Sequence, residues 1–97
     1  MQKFIIDIDN TICKTINSDY KNSEPILNRI QFINLLYNKG NHITYWTARG
    51  ATTGIDWKEF TIQQLHSWGC LYHSVMFGKP AYDVWVDDKS INLDFFK

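Results

Sequence analysis

The chain has 97 residues, of which 44% are hydrophobic and 15% aromatic, and its ten basic residues balance ten acidic ones. This length and apolar content predict one small domain, residues 1–97, and exclude an intrinsically disordered chain. Because the net charge is zero, a global basic field that would attract nucleic acid is excluded as well.

Cysteine content and hydropathy exclude further classes of protein. Cys13 and Cys70 are the only cysteines, and two cysteines do not make a disulfide scaffold. Their surroundings contain no CxxC or HxxxH pattern, so a zinc site is not expected. No window approaches the roughly 20 apolar residues of a membrane span, and no signal peptide is recognisable. We therefore expect a cytoplasmic protein that does not contact a membrane.

The first half of the chain predicts a strand, a loop and a helix. Residues 3–8 are short, β-branched and aromatic, which indicates a strand buried on both faces. Residues 14–23 are polar and contain turn formers, so they indicate a loop or small flap. A helix follows, capped by Ser23 and ended by Gly40. Its apolar residues recur at helical spacing: Ile26, Ile30, Ile33 and Tyr37.

The second half alternates in the same way. A strand over 42–46 leads into a small-residue loop and then a helix that Asp56 caps. A third strand lies within 70–77, and residues 82–86 predict a fourth. Strands that alternate with single helices indicate parallel βαβ units. The expected fold class is therefore α/β, with a parallel sheet of about four strands.

Polar side chains follow each predicted strand at the point where it ends. Because the carboxyl ends of parallel strands share one edge of a sheet, these side chains are expected to converge there. Taken singly, each has an ordinary explanation as a turn former, a cap or a solvated surface residue. The conjunction favours a site made of these residues: Asp7, Asp9, Thr47, Lys79, Asp87 and Asp88.

The charges at this edge predict a cation and a phosphate. Asp7 and Asp9 point to the same side of the strand and repel each other unless a cation or a shared proton intervenes. Mg²⁺, a hard cation that takes oxygen ligands, would offset this repulsion, and Lys79 would neutralise part of the remaining negative charge. Metal and lysine together attract an anion such as phosphate. Arg49 and Lys89 are candidates for contacts at this site, but the favoured interpretation is that they are solvated surface cations.

These residues resemble the four motifs of the haloacid dehalogenase (HAD) superfamily of phosphohydrolases. Its first motif, DxDxT, corresponds to residues 7–11, and its second, a hydrophobic strand ending in Thr or Ser, to residues 42–47. Its third motif corresponds to Lys79 and its fourth to the pair Asp87-Asp88. The match covers nearly the whole chain. It implies a small three-layer Rossmann-like fold without a cap domain.

The resemblance also implies a mechanism. Asp7 would be the nucleophile that forms an aspartyl-phosphate, which divides hydrolysis into two easier steps. Asp9 would protonate the leaving group and then activate water, so the two carboxylates would be unequal. Lys79 would offset charge in the transition state, which completes the expected catalytic set.

The remaining roles concern phosphate and metal. The expected phosphate-binding residues are Asn10, Thr47, Ala48 and Lys79, with the Arg49 amide as a further donor. Asn10 would also shape the loop after the first strand. The expected Mg²⁺ ligands are Asp7, Asp9 through its backbone carbonyl, Asp88 directly, and Asp87 through water unless it pairs with Lys79.

The substrate stays open at this point. The phrases YWTARG, TGIDW and GKPAYDVWVDDKSIN are similar to short bacterial members associated with capsule or surface-polysaccharide biosynthesis, which favours a phosphosugar or related small metabolite. A nucleotide or a polynucleotide end is the alternative, although the neutral charge argues against nucleic acid. A non-catalytic phosphate- or metal-binding module in a complex is the alternative from another class. A mutase is disfavoured, because no cap would exclude water.

The absence of a cap domain and the short C-terminal tail are relevant to whether the protein forms an oligomer. Without a cap the site should be open, and a homo-oligomer in which a neighbour covers it is one expectation. The residues Phe95 and Phe96 fit such an interface, and they fit equally well a tail that folds back on the core.

Overall fold

Strands and helices alternate along most of the chain in the computed structural model, which describes residues 1–80, 82–84, 86–89 and 96. The strands are β1 (Lys3–Ile6), β2 (Cys13–Lys14), β3 (Glu24–Pro25), β4 (His42–Trp46) and β5 (Ser74–Met76). The helices are α1 (Leu27–Asn38) and α2 (Lys58–Ser67), and a 3₁₀ turn spans Tyr20–Asn22. None of the described helices has the length and apolar character needed to cross a membrane.

Three of the strands form a parallel sheet in the order β1-β4-β5. Phe4 is aligned with Ile43, and Tyr45 is aligned with Val75. The two short strands β2 and β3 pair antiparallel in a separate ribbon that closes the loop after β1. The parallel α/β arrangement predicted from the alternating elements is thereby confirmed, and the carboxyl ends of β1, β4 and β5 meet at one edge.

The core lies on one face of this sheet. A single cluster joins both helices to alternate residues of β1 and β4: Ile6, Ile43, Tyr45, Ile30, Ile33 and Leu65. Two right-handed crossovers that progress in the same direction along a sheet place both helices on the same face, which accounts for the single cluster. Ile5, on the other face of β1, is 65% exposed. The prediction that this strand is buried on both faces is therefore wrong, and the described residues form two layers where three were expected.

The predicted fourth strand is not formed in the described residues. Residues 82–84 and Val86 lie in no strand, and Val84 and Val86 are 77% and 90% exposed. Trp85 falls outside the described residues. A β-branched run becomes a strand only when a neighbour pairs with its backbone groups, and no described strand pairs with this segment. The described parallel sheet therefore has three strands where about four were predicted.

Two further expectations concern the helix start and the tail. The first helix begins at Leu27 without a side-chain cap, because Pro25 is part of β3, so the prediction of Ser23 as its cap is wrong.

In the C-terminal tail, the ring of Phe96 packs edge-on against the ring of Phe32, with 5.8 Å between centroids. Phe96 therefore folds back on the core, whereas Phe95 lies outside the described residues.

The buried face of α1 gives a stability prediction. Ile33 is fully buried, whereas Leu35 on the same helix is 58% exposed. We expect Ile33→Ala to lower the free energy of unfolding by about 2–5 kcal/mol, because it removes buried methyl groups and leaves a cavity. The control Leu35→Ala should change it by less than about 0.5 kcal/mol. Urea unfolding measures both, and equal losses would contradict the assigned core.

The buried thiol of Cys70 gives a pH prediction. Burial raises its pKa from 9.0 to about 12. Since the unfolded chain loses this proton near its ordinary pKa, the folded state binds more protons between about pH 9 and 12. The free energy of unfolding should therefore fall as pH rises through this window. We expect urea unfolding of Cys70→Ser to show a smaller fall than the unsubstituted protein, and an identical fall would contradict the assignment.

Candidate functional site

An open cleft of about 570 Å³ lies where the loops after β1, β4 and β5 meet. It is lined by Asp7, Asp9, Asn10, Thr15, Asn17, Ser18, Tyr20, Ala48, Arg49, Lys79, Pro80 and Tyr82. Five of the residues that the sequence predicted for the site are therefore gathered in one place: Asp7, Asp9, Asn10, Ala48 and Lys79. The parallel strands explain this, because their carboxyl ends deliver successive loops to the same edge.

Asp7 and Lys79 form an ion pair in this cleft. The Lys79 Nζ lies 3.3 Å from Asp7 Oδ2, and the amide of Ile8 donates a hydrogen bond of 2.9 Å to Asp7 Oδ1. The backbone amide of Lys79 donates to the carbonyl of Thr47, which ties the loop after β5 to the end of β4. The Asp7 side chain is 35% exposed. It therefore remains reachable from the cleft while its charge is balanced.

Asp9 is held in a different way, by two hydrogen bonds from one guanidinium. Arg49 Nε donates to Asp9 Oδ2 at 3.0 Å, and Arg49 Nη2 donates to Asp9 Oδ1 at 2.9 Å. The Arg49 side chain is fully buried. Such a bidentate, charge-assisted pair is among the stronger polar interactions in proteins. The interpretation of Arg49 as a solvated surface cation is therefore wrong.

The remaining nitrogen of this guanidinium binds helix α2. Arg49 Nη1 donates to Thr61 Oγ1 at 3.1 Å and to Gln64 Oε1 at 2.7 Å. The guanidinium carbon also lies 4.6 Å from the ring centroid of Tyr20. Sequence reasoning missed Thr61, Gln64 and Tyr20 as part of the site. The only sequence signal was the position of Arg49 just after a strand end, since nothing local shows which helix it contacts.

The loop after β1 is shaped by its own polar side chains. Asn10 adopts a left-handed backbone conformation with φ of 61°, and its Oδ1 accepts a hydrogen bond from the amide of Thr15. The Thr15 hydroxyl donates to Asp9 Oδ1 at 2.7 Å and lies 2.6 Å from the Ser23 hydroxyl. The expected loop-shaping role of Asn10 is confirmed. Asp9 Oδ1 thus accepts from both Arg49 and Thr15, so in this arrangement its carboxylate acts only as an acceptor.

The loop after β4 differs in detail from the expected phosphate site. Thr47 is fully buried and does not line the cleft. Its Oγ1 accepts a hydrogen bond of 3.0 Å from the amide of Arg49, so that amide is not directed at a ligand as expected. Ala48 does line the cleft. In the structure the Thr47 side chain holds the loop in shape, and Ala48 rather than Thr47 lines the cleft.

The acid pair expected on the metal is not among the described residues that line the cleft. Asp87 and Asp88 are exposed and are not among the lining residues, and Asp87 Oδ1 accepts a hydrogen bond from the amide of Lys89. Across residues 1–80, 82–84, 86–89 and 96, no three His, Cys, Asp or Glu side chains group to hold a metal. The cleft offers the carboxylate of Asp7, while that of Asp9 is engaged by Arg49. As placed, these side chains do not fit the expected ligand set for Mg²⁺.

Gly50 allows the Arg49 loop to close, which gives a prediction. Its φ is +82°, and a Cβ there would overlap the carbonyl oxygen of Ile55. Gly54 has a similar φ of +74° with nothing within 4 Å of the added carbon. We expect Gly54→Ala to lower the free energy of unfolding by about 1 kcal/mol through backbone strain alone. Gly50→Ala should cost more, on the order of 3 kcal/mol, because overlap adds to strain. Equal losses in thermal or urea unfolding would contradict this.

Comparison with known proteins supports the fold. No protein-family model matches the chain, and no curated protein matches it. The crystal structure of a structural genomics target from Vibrio cholerae is similar, with a TM-score of 0.86 and 26% sequence identity. The match covers 99% of this chain and 87% of that one. The arrangement of strands and helices described above is therefore shared with an experimentally determined structure.

Proposed function

We propose that this protein is a phosphomonoesterase of the HAD type that hydrolyses its substrate through an aspartyl-phosphate. The observation that carries the proposal is the Asp7–Lys79 pair, a reachable carboxylate with an ammonium 3.3 Å away in an open cleft. The cleft lies at the carboxyl ends of parallel strands, where ligands bind in open α/β sheets. The resemblance of residues 7–11 to the DxDxT motif supports the choice of reaction.

In the proposed first step, a carboxylate oxygen of Asp7 attacks phosphorus and the bond to the leaving oxygen breaks. The Lys79 ammonium attracts the phosphoryl group and offsets the charge that grows on its oxygens. Ala48 also lines the cleft, which supports a proposed contact with the same group. In the second step, water attacks phosphorus, which releases inorganic phosphate and restores the Asp7 carboxylate.

Asp9 is the proposed proton carrier for both steps. The contacts with Arg49 and Thr15 leave it as an acceptor, which suits removal of a proton from the attacking water in the second step. Protonation of the leaving oxygen in the first step requires that Asp9 first gain a proton and rearrange these hydrogen bonds. The structure therefore favours the second role more directly than the first.

Mg²⁺ belongs to the proposal only through the family resemblance. When bound, the ion would supply positive charge near the phosphoryl oxygens. Asp7 is the carboxylate placed to contact it, and the placement of Asp87 and Asp88 does not support their roles as ligands. No step above depends on the ion, and comparison of turnover with Mg²⁺ and with a chelator measures the requirement.

The charge of the cleft favours a small neutral leaving group. Asp7 and Asp9 are balanced by Lys79 and Arg49, and the other lining residues are uncharged at neutral pH. A phosphate ester of a sugar or a similar small metabolite adds only the charge of its own phosphate. A polynucleotide end would add further phosphates, and the described lining residues offer no additional cation for them. We therefore propose a phosphosugar or related small molecule.

A non-catalytic phosphate-binding module is the second candidate. It is favoured by the engagement of Asp9 with Arg49 and by the position of Asp87 and Asp88 outside the cleft. Such a module would bind phosphate through Lys79 without turning an ester over. Turnover on a broad panel separates the two candidates.

Substitution of the proposed nucleophile tests the function. Asp7→Asn should lower kcat by at least about a thousandfold, because an amide cannot form the acyl phosphate. The panel consists of phosphosugars, nucleotides and p-nitrophenyl phosphate, assayed with Mg²⁺. The matched control is Asp56→Asn, since Asp56 is exposed, accepts a hydrogen bond from the amide of Lys58 and does not line the cleft.

Two outcomes would contradict the proposal. Activity retained in Asp7→Asn would show that another group is the nucleophile. Calorimetric binding of phosphate by the unsubstituted protein, with no turnover on any member of the panel, would favour the non-catalytic module.

A further inference from the structure

Arg49 has more partners than its place in a short loop requires. Its side chain donates four hydrogen bonds, two to Asp9 and one each to Thr61 and Gln64. Its side chain is fully buried, although it lies within the small-residue loop over 47–54. Because burying a guanidinium is costly without such partners, its position is fixed by several contacts at once.

These contacts join three separate segments of the chain. Nε and Nη2 face Asp9 after β1, while Nη1 faces Thr61 and Gln64 on helix α2. The planar fork cannot turn toward one side without losing hydrogen bonds on the other. A lysine at this position would retain the charge but could not bridge both sides.

The same guanidinium supports one wall of the cleft. The ring of Tyr20 lies over it at 4.6 Å and meets the ring of Trp57 edge-on at 5.0 Å. The Tyr20 carbonyl accepts a hydrogen bond of 2.8 Å from Gln64 Nε2, the side chain whose Oε1 binds Arg49. Residues 15–22 supply four lining residues of the cleft: Thr15, Asn17, Ser18 and Tyr20. We refer to this segment as the Tyr20 wall.

We propose that Arg49 is a positioning residue that fixes the carboxylate of Asp9 and couples its position to the Tyr20 wall. The inference rests on the proposed function, in which Asp9 moves protons and the cleft holds the leaving group. Through Asp9, Arg49 governs the chemical steps. Through Tyr20, it governs the space available to the leaving group. The hydrogen bonds of Arg49 go to Asp9, Thr61 and Gln64, whereas Asp7 and Lys79, the proposed partners of the phosphoryl group, form an ion pair of their own.

If Arg49 has this role, Arg49→Lys and Tyr20→Ala should change different kinetic parameters. Arg49→Lys should lower kcat for a sugar phosphate by about a hundredfold, because small misplacements of a reacting group cost that much. The inhibition constant of inorganic phosphate should stay within about threefold, since Asp7 and Lys79 are retained. Tyr20→Ala should raise KM for the sugar phosphate while kcat changes by less than about threefold.

The matched control is Arg29→Lys. Arg29 donates a hydrogen bond of 3.0 Å to the Thr11 carbonyl and lies 5.1 Å over the ring of Phe96, so it makes contacts of the same kind outside the cleft. We expect Arg29→Lys to leave kcat, KM and phosphate inhibition within about threefold of the unsubstituted protein. Urea unfolding of both arginine variants separates a loss of stability from a change in kcat.

Hydrogen exchange gives a readout that does not depend on activity. Amides in the Tyr20 wall and at its end are hydrogen-bonded, including those of Asp19, Tyr20, Asn22 and Ser23. Their exchange in the full chain should be faster in Arg49→Lys and unchanged in Arg29→Lys. If Arg49→Lys does not fold, Thr61→Val removes one partner of Nη1, and the same acceleration is expected at a smaller magnitude.

The outcomes distinguish this inference from the proposed function. If the unsubstituted protein hydrolyses esters but Arg49→Lys matches it in kcat and in exchange, the positioning role is wrong and the function stands. Parallel losses in kcat and phosphate affinity in both arginine variants would also overturn the role. If the unsubstituted protein hydrolyses no ester on the panel, the proposed function fails, and the catalytic role of Arg49 fails with it.

Discussion

The buried pair between Arg49 and Asp9 is the interaction on which the rest of the site depends. Two charges taken out of water carry a desolvation penalty of several kcal/mol each, which their attraction offsets only when the geometry is good and the other donors are satisfied. Here the guanidinium of Arg49 donates hydrogen bonds to Asp9 in the loop after β1 and to Thr61 and Gln64 on α2. The loop after β4, the start of the loop after β1 and the helix α2 are therefore held in one arrangement by a single side chain.

The sheet makes this arrangement possible. Parallel alignment of β1, β4 and β5 brings three loops to one edge, and the single core under one face fixes α2 close to that edge. Thr61 and Leu65 are four residues apart on this helix and both are fully buried. The apolar packing of Leu65 and the polar contact of Thr61 thus come from the same helix face. Core packing places the helix, and the helix places two of the partners of Arg49.

The two carboxylates after β1 have become unequal through different cations. Asp7 faces the single ammonium of Lys79 and stays 35% exposed, whereas Asp9 is held at both oxygens by a guanidinium and is 22% exposed. A point charge on a flexible stem leaves its partner able to exchange contacts, but a planar fork fixes both distance and orientation. This difference is consistent with the proposed roles, in which Asp7 attacks phosphorus and Asp9 takes a proton from water. The two carboxylates were expected to be unequal because of their different roles, and their different cation partners already make their surroundings unequal.

The sequence by itself determined both helices, the three strands of the described parallel sheet and the edge at which polar residues gather. Residues 42–46 form a strand as the pattern predicts, and Asp7, Asp9, Asn10, Ala48 and Lys79 share the cleft because strand ends can be located from local periodicity. Only the tertiary structure decided that Arg49 is buried, that Thr47 supports the loop, and that the core lies on one face. These features depend on which helix packs over which loop. Thr61 and Gln64 lie 12 and 15 positions after Arg49, so no local sequence pattern identifies them as its partners. A lone arginine at a strand end has the same sequence signature whether it meets solvent or a carboxylate, since its burial is set by contacts distant along the chain.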